Sequence, residues 1–151
     1  GVPTLLNPAP VPDRAIDFWP LVGYLTPNEG EAERLTGVTV RDPTTAGTAA
    51  QALRERGVGT AVVTLGAQGA VAATPEGTSH VPAFAVTAVD TTAAGDAFNG
   101  GLAVALAEGR PLAEALRFAS AAAALTCTRR GAQASLPSRA EVEALLGRRA
   151  C

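Results

Sequence analysis

Residues 90–100 read Asp-Thr-Thr-Ala-Ala-Gly-Asp-Ala-Phe-Asn-Gly, and they lie where a predicted strand ends and a helix predicted over residues 96–108 begins. Free amides in the first turn of a helix, together with the positive end of its dipole, bind phosphate oxygens. The small residues 93–95 leave this backbone open to an anion. Asp96 is expected to project into the same space.

Asp96 has two interpretations. A carboxylate beside an anion site can accept the proton of an attacking alcohol, while the amides stabilise the charge on a phosphoryl group in transfer. An acidic residue in a first helical turn also complements the helix dipole without any catalytic role. The run of small residues before Asp96 favours the first interpretation, because a purely structural helix start does not need it.

Strands and helices alternate along the rest of the chain. Predicted strands cover residues 2–6, 21–26 and 60–65, with a hairpin return at 70–73 and an extended segment at 81–89; predicted helices cover residues 28–36, 44–56, 112–126 and 138–146. This alternation predicts an α/β fold with a mostly parallel sheet. Ligands bind such sheets beyond the carboxyl ends of the strands, here after Leu25, Leu65 and Val89.

Composition excludes several classes of function. The chain has 151 residues and a formal charge of −2, which argues against an electrostatic nucleic-acid binder. It contains no lysine, so it has neither a P-loop lysine nor a Schiff-base lysine. A Ser-His-Asp triad is not expected, because His80 is predicted in a turn with no nucleophile elbow nearby. A Rossmann dehydrogenase is disfavoured because no Gly-x-Gly-x-x-Gly follows the first strand.

The cysteines, the apolar runs and the first residues of the chain argue against further classes of protein. One histidine and two cysteines are too few for a zinc cluster. Cys127 is expected in the core and Cys151 at a frayed terminus. No apolar run approaches about 18 residues, and residues 1–4 lack a signal-peptide pattern, so a soluble cytoplasmic protein without membrane contact is expected.

Three further segments could bind ligands, and each also has a structural explanation. Asn28 and Glu31 have the spacing of a capping box, and a carboxylate also suits the hydration shell of Mg²⁺. The glycines of residues 64–69 allow close backbone approach, but an ordinary hairpin turn explains them equally well. Residues 126–135 follow a helix whose terminal carbonyls can face a cation or simply end in a glycine cap.

Residues 90–98 resemble the second signature of the ribokinase (phosphofructokinase B-like) sugar kinases, D-T-x-[AG]-A-G-D-x-F. Residues 7–10, 26–37 and 129–137 also resemble this family, and they favour ribokinases over fructokinase or adenosine kinase relatives. The resemblance implies that Asp96 is the catalytic base. It implies that Ala93, Ala94 and Gly95 form the anion hole and that Asn99 lies close to the nucleotide.

The same resemblance assigns the remaining site residues. Asn28 and Glu31 would arrange the magnesium–phosphate network, and Ser120 would line the adenine pocket. The nucleotide loop would consist of Thr64, Leu65, Gly66, Ala67, Gln68 and Gly69. A potassium ion would be surrounded, mostly through main-chain oxygens, by Asp90, Thr92, Thr126, Arg129, Gly131 and Ser135.

The resemblance covers residues 1–151 but only the C-terminal part of the family's three-layer α/β/α fold. The Gly-Gly sugar motif, the sugar-contacting aspartate and the β-sheet lid of the front half are not visible. The implied reaction is phosphoryl transfer from MgATP to the 5-hydroxyl of D-ribose, with K⁺ as activator and a homodimeric full-length enzyme. Alternatives are a kinase of fructose, deoxyribose or a nucleoside, or a non-catalytic nucleotide-binding fragment, and the isolated chain is expected to be inactive.

Overall fold

A computed structural model describes residues 2–13 and 16–147, so the prediction for Cys151 lies outside the described residues. The chain divides into two compact units, Gly1–Pro82 and Ala83–Cys151. Among these described residues, the first unit contains the sheet and two α-helices, and the second contains three α-helices.

The first unit is built on a five-stranded sheet in the order β1-β2-β3-β4-β5. The strands are β1 (Leu5–Leu6), β2 (Tyr24–Leu25), β3 (Thr60–Thr64), β4 (Ala70–Thr74) and β5 (Gly77–Val81). The pairs β1–β2 and β2–β3 are parallel, while β3–β4 and β4–β5 are antiparallel. The predicted α/β fold is therefore confirmed, with a sheet that is mixed.

Helices α1 (Glu29–Thr36) and α2 (Pro43–Glu55) pack with this sheet. Helix α2 begins with Pro43 in its first turn and a capping box between Asp42 and Thr45, which satisfies amides that the helix itself leaves free. Its buried face consists of small residues and Leu53, which has no exposed surface. These contacts form the core beneath β3 and β4.

Strand β5 differs from the sequence-based expectation. The sequence predicts His80 in a turn, but it lies in β5 and pairs with Val71 of β4. Four of the five residues of β5 are exposed, so the segment lacks the alternation of polar and apolar residues that identifies a half-buried strand. The extended segment predicted over residues 81–89 contributes only Val81 to the sheet, and residues 82–89 form no regular element.

The second unit consists of α3 (Ala94–Ala107), α4 (Leu112–Cys127) and α5 (Arg139–Gly147). Helices α3 and α4 approach closely because Gly101 faces the backbone of Ala119. Cys127 is half-buried rather than a core residue. Burial, with a contribution from the charge of Asp90, raises the pKa of the Cys127 thiol. Over the described parts of the chain, every helix is too short or too polar to span a bilayer.

Candidate functional site

Helix α3 begins at an unusual residue. Ala93 takes the N-cap position with a φ of 61°, a left-handed conformation that a residue with a β-carbon rarely adopts. Its side chain cannot cap the helix, and its carbonyl accepts a hydrogen bond from the N–H of Ala97 at 2.9 Å. The first turn of α3 therefore has no side-chain cap.

The amides of this turn are mostly free. The N–H of Ala94 donates to the carbonyl of Thr91 at 3.2 Å. Within residues 2–13 and 16–147, the N–H groups of Gly95 and Asp96 have no acceptor. A β-carbon placed on Gly95 would meet no atom within 4 Å, so space is open beside it. Of the predicted anion-hole residues, Gly95 offers a free amide, while the amide of Ala94 is turned back into the preceding loop.

Asp96 lies in this first turn and is exposed. Its carboxylate makes no hydrogen bond or ion pair with the residues that the structure describes. A free carboxylate beside uncapped amides can act as a base toward a ligand bound there, and it also complements the helix dipole. Both interpretations of Asp96 are compatible with its position.

Two polar residues predicted to lie near a nucleotide occupy neighbouring helices of the second unit. Asn99 is three residues after Asp96 on α3, and its buried Oδ1 has no hydrogen-bond partner among the described residues. Buried polar atoms are normally paired, so this oxygen is an acceptor that a bound molecule can satisfy. Ser120 is buried on α4 with 7% of its surface exposed.

The loop before α3 is joined to the loop after α4 by Asp90. Its Oδ1 accepts from the N–H of Thr92 at 2.9 Å, and its Oδ2 accepts from the N–H of Gly131 at 3.0 Å. The carbonyl of Cys127 accepts from Val89 and Asp90 at 2.7 and 3.2 Å. The hydrogen bond from Gly131, followed by those from Thr92, lowers the pKa of Asp90 to about 2.

The predicted monovalent-cation site lies at this junction. Within the described ranges, no hydrogen bond ends on the carbonyl oxygens of Asp90, Thr92, Arg129 or Gly131. Uncharged carbonyl oxygens are the ligands that replace the hydration shell of K⁺ in proteins. The residues present therefore fit such an ion.

Two other predicted ligands of this ion are already engaged. The carbonyl of Thr126 accepts from the N–H of Arg129 at 3.2 Å. The hydroxyl of Ser135, which is fully buried, donates to the carbonyl of Ala132 at 2.7 Å. The hydroxyl oxygen of Ser135 keeps its lone pairs for a ligand.

An ion pair that the sequence does not predict lies beside this loop. The guanidinium of Arg129 donates to Oε1 of Glu141, and Oε2 of Glu141 accepts from the N–H and the hydroxyl of Ser138, both at 2.8 Å. Arg129, followed by Ser138, lowers the pKa of Glu141 to about 2. The sequence indicates the cap at Ser138 and Glu141, which is confirmed, but nothing local points to Arg129.

In the first unit, Asn28 and Glu31 form the predicted capping box of α1. Oδ1 of Asn28 accepts from the N–H of Glu31 at 2.9 Å, and Oε2 of Glu31 accepts from the N–H of Asn28 at 2.8 Å. Asn28 also forms a parallel bridge with Thr64, whose N–H donates to the carbonyl of Pro27 at 3.0 Å. Two residues predicted to bind nucleotide therefore lie side by side at the carboxyl ends of β2 and β3.

The loop over residues 64–69 is a tight turn closed by its own backbone. Leu65 and Gly69 are joined by an N–H to carbonyl bond of 2.7 Å, and Gly66 and Gly69 have φ values of 51° and 93°. A β-carbon on Gly66 would meet nothing within 4 Å. Both glycines thus serve the turn, and Gly66 also leaves open space, so either interpretation of the loop is compatible with its geometry.

The capping box of Asn28 and Glu31 is also where the sequence predicts a magnesium ion. No group of three or more His, Cys, Asp or Glu side chains in the described part of the chain could cage a metal ion. Mg²⁺ usually keeps several waters and binds through one or two carboxylates plus substrate phosphates. Glu31 fits that role with Oε1, because only its Oε2 is used by the capping box.

Each of these two regions, an uncapped helix start with a free carboxylate and a strand-end turn beside a capping box, has features that phosphoryl-transfer sites use. The sequence pattern of the pfkB family carbohydrate kinases matches residues 1–139. The chain belongs to this family.

The individual proteins that this chain resembles include several ribokinases. The ribokinase of Haemophilus influenzae is 45% identical over 141 residues, which cover 93% of this chain and 46% of that protein. The crystal structure of ribokinase from Thermotoga maritima superposes with a TM-score of 0.89 at 43% identity, over 97% of this chain and 49% of that one. Arabidopsis thaliana ribokinase, complexed with ribose and ATP, superposes with a TM-score of 0.83 at 34% identity, over 97% and 48%. The chain spans about half the length of the relatives it matches.

Proposed function

We propose that this chain is the C-terminal, nucleotide-binding and catalytic part of an ATP-dependent kinase that phosphorylates the 5-hydroxyl of D-ribose. The single observation that carries the proposal is the start of α3, where amides without a side-chain cap adjoin the free carboxylate of Asp96. The Arabidopsis relative, described with ribose and ATP, supports the choice of sugar and nucleotide.

In the proposed reaction, Asp96 accepts the proton of the sugar hydroxyl as its oxygen attacks the γ-phosphorus of ATP. The new bond joins the sugar oxygen to phosphorus, and the bond between the γ-phosphorus and the bridging oxygen of ADP breaks. In the proposed anion hole of residues 93–95, the free amide of Gly95, together with that of Asp96, donates to the phosphoryl oxygens as their charge develops. Ala93 holds this backbone in the required left-handed turn.

The other predicted residues take supporting roles. Asn28 and Glu31 would organise the water and phosphate ligands of Mg²⁺, which would supply charge neutralisation at the phosphates. Residues 64–69 lie along the nucleotide phosphates and ribose, and Ser120 lines the adenine pocket. Asn99 has the unpaired, buried Oδ1 that a nucleotide donor would satisfy. The carbonyls near Asp90 and Gly131 would hold K⁺, whose charge would help to keep the loop before α3 in place.

Exchanging Asp96 for asparagine tests the proposal in the complete kinase, of which this chain would be the C-terminal part. Loss of a general base lowers turnover by about 10²- to 10⁴-fold, while ATP affinity is expected to change little because the amides remain. Glu29→Gln is the matched control, since Glu29 is a first-turn acid of α1. Turnover of Asp96→Asn close to that of the control would refute the role of Asp96.

A second candidate function follows from the length of the chain. Because it spans 46% of the Haemophilus influenzae relative, the isolated 151 residues could bind nucleotide without transferring phosphate. Isothermal titration calorimetry with ATP and ribose, in the presence and absence of K⁺, separates the two functions. Nucleotide binding without ribose binding favours the non-catalytic fragment, whereas ribose-dependent release of ADP by the isolated chain contradicts it.

A further inference from the structure

The loop between α4 and α5 is held at three points. The N–H of Arg129 donates to the carbonyl of Thr126 at 3.2 Å, and the N–H of Gly131 donates to Asp90 at 3.0 Å. The third point is the Arg129 side chain, which is paired with Glu141 of α5. Both the N–H and the side chain of Arg129 are therefore held.

Glu141 is itself fixed by a residue other than the arginine. Its Oε2 receives two hydrogen bonds from Ser138, while its Oε1 receives the guanidinium of Arg129. The two carboxylate oxygens therefore act separately, since Oε2 caps α5 and Oε1 holds the loop. The side chains of Arg129 and Glu141 are 37% and 43% exposed, so the pair lies at the surface of the second unit.

The positive charge of Arg129 would disfavour a cation at these carbonyl oxygens, and the ion pair with Glu141 reduces that effect. The carbonyl of Arg129 is one of the oxygens available to a cation, yet the same residue carries a full positive charge on a flexible side chain. A guanidinium free to turn toward those oxygens would repel a cation and compete for them as a donor. Paired with Glu141, it is neutralised and held against α5.

We propose that Glu141 is a positioning residue for the monovalent-cation site, which it serves by holding the Arg129 guanidinium away from the carbonyl ligands. This inference rests on the proposed function, because it requires that the carbonyls near Asp90 and Gly131 bind K⁺. Glu141 does not touch the cation; it acts through Arg129.

The test uses cation binding rather than kinase activity. Thermal unfolding of the protein is followed while KCl replaces tetramethylammonium chloride at constant ionic strength, and the midpoint of the stabilisation gives the apparent K⁺ dissociation constant. Glu141→Gln keeps the cap, since glutamine also serves in capping boxes, but removes the charge. We expect the apparent constant to rise roughly two- to fivefold, the range of exposed ion pairs.

The matched control is Glu143→Gln on the same helix. Glu143 pairs with Arg139 at 3.1 Å and has no bond to the loop. The Glu143→Gln variant is expected to lower the unfolding temperature by about as much as Glu141→Gln does and to leave the K⁺ midpoint unchanged. Equal shifts of the K⁺ midpoint in the two variants would mean that Glu141 acts only through stability, and the proposal would fall.

A double variant gives a second, independent outcome. Arg129→Gln combined with Glu141→Gln removes the unpaired positive charge and keeps the backbone carbonyl, so K⁺ affinity should recover toward that of the parent protein. If the double variant binds K⁺ as weakly as Glu141→Gln does, the inference is overturned. A parent protein that shows no K⁺-dependent stabilisation overturns the cation site together with this inference, while the role of Asp96 is judged separately by turnover.

Discussion

Replacing Gly101 with alanine should force α3 and α4 apart. A β-carbon at Gly101 would lie 3.1 Å from Cα of Ala119, 3.3 Å from Cβ of Ala122 and 3.6 Å from Cδ1 of Phe118. The optimal separation between non-bonded carbons is about 3.5–4.0 Å. The preceding residue, Gly100, would meet nothing within 4 Å, so it provides a control in the same helix.

The expected change in the free energy of unfolding follows from two opposing effects. Alanine in place of glycine inside a helix is favourable by about 0.8–1.0 kcal/mol, and Gly100→Ala should gain about that much unfolding free energy. Gly101→Ala gains the same amount, but overpacking costs about 1–3 kcal/mol. The difference between the two variants isolates this packing cost, because their helix propensities are equal.

Thermal unfolding measures this difference directly. For a chain of this size, about 1 kcal/mol shifts the unfolding temperature by about 2–4 °C. Gly101→Ala should therefore unfold roughly 2–12 °C below Gly100→Ala. Equal unfolding temperatures would show that α4 yields without cost and that Gly101 does not set the spacing of the two helices.

Two further predictions concern carboxylates. Arg139, then Arg110, lowers the pKa of Glu108 below its ordinary value of 4.5, so these pairs stabilise the fold above pH 4.5 and lose that effect as the pH falls through the lowered pKa. The difference in unfolding temperature between the parent protein and Glu108→Gln should be greatest near neutral pH and disappear in acid; a difference independent of pH would contradict it. Glu31→Gln keeps the hydrogen bond to the N–H of Asn28, so thermal stability should hardly change, while calorimetry should show weaker Mg²⁺-dependent ATP binding. Unchanged Mg²⁺ dependence would leave Glu31 with the capping role alone.

Local patterns in the sequence predict most of the elements. The capping box of Asn28 and Glu31 and the hairpin of β3 and β4 are both recognisable, because each depends on residues a few positions apart. The sequence places the start of α3 two residues late, since Ala93 caps the helix by its backbone conformation rather than by a polar side chain. The small residues before Asp96 nevertheless identify the region and the family.

The remaining features depend on contacts between residues that are distant in the sequence. Strand β5 exists because β4 supplies its hydrogen bonds, although its own residues are mostly polar and exposed. Asp90 meets Gly131 across 41 residues, and Arg129 meets Glu141 across 12. No periodicity or spacing encodes such pairs, because they depend on how the helices bring distant loops together. Local sequence patterns therefore suffice for most of the elements, for the caps at Asn28 and Ser138 and for the family, whereas packing decides which amides, carbonyls and charges come together.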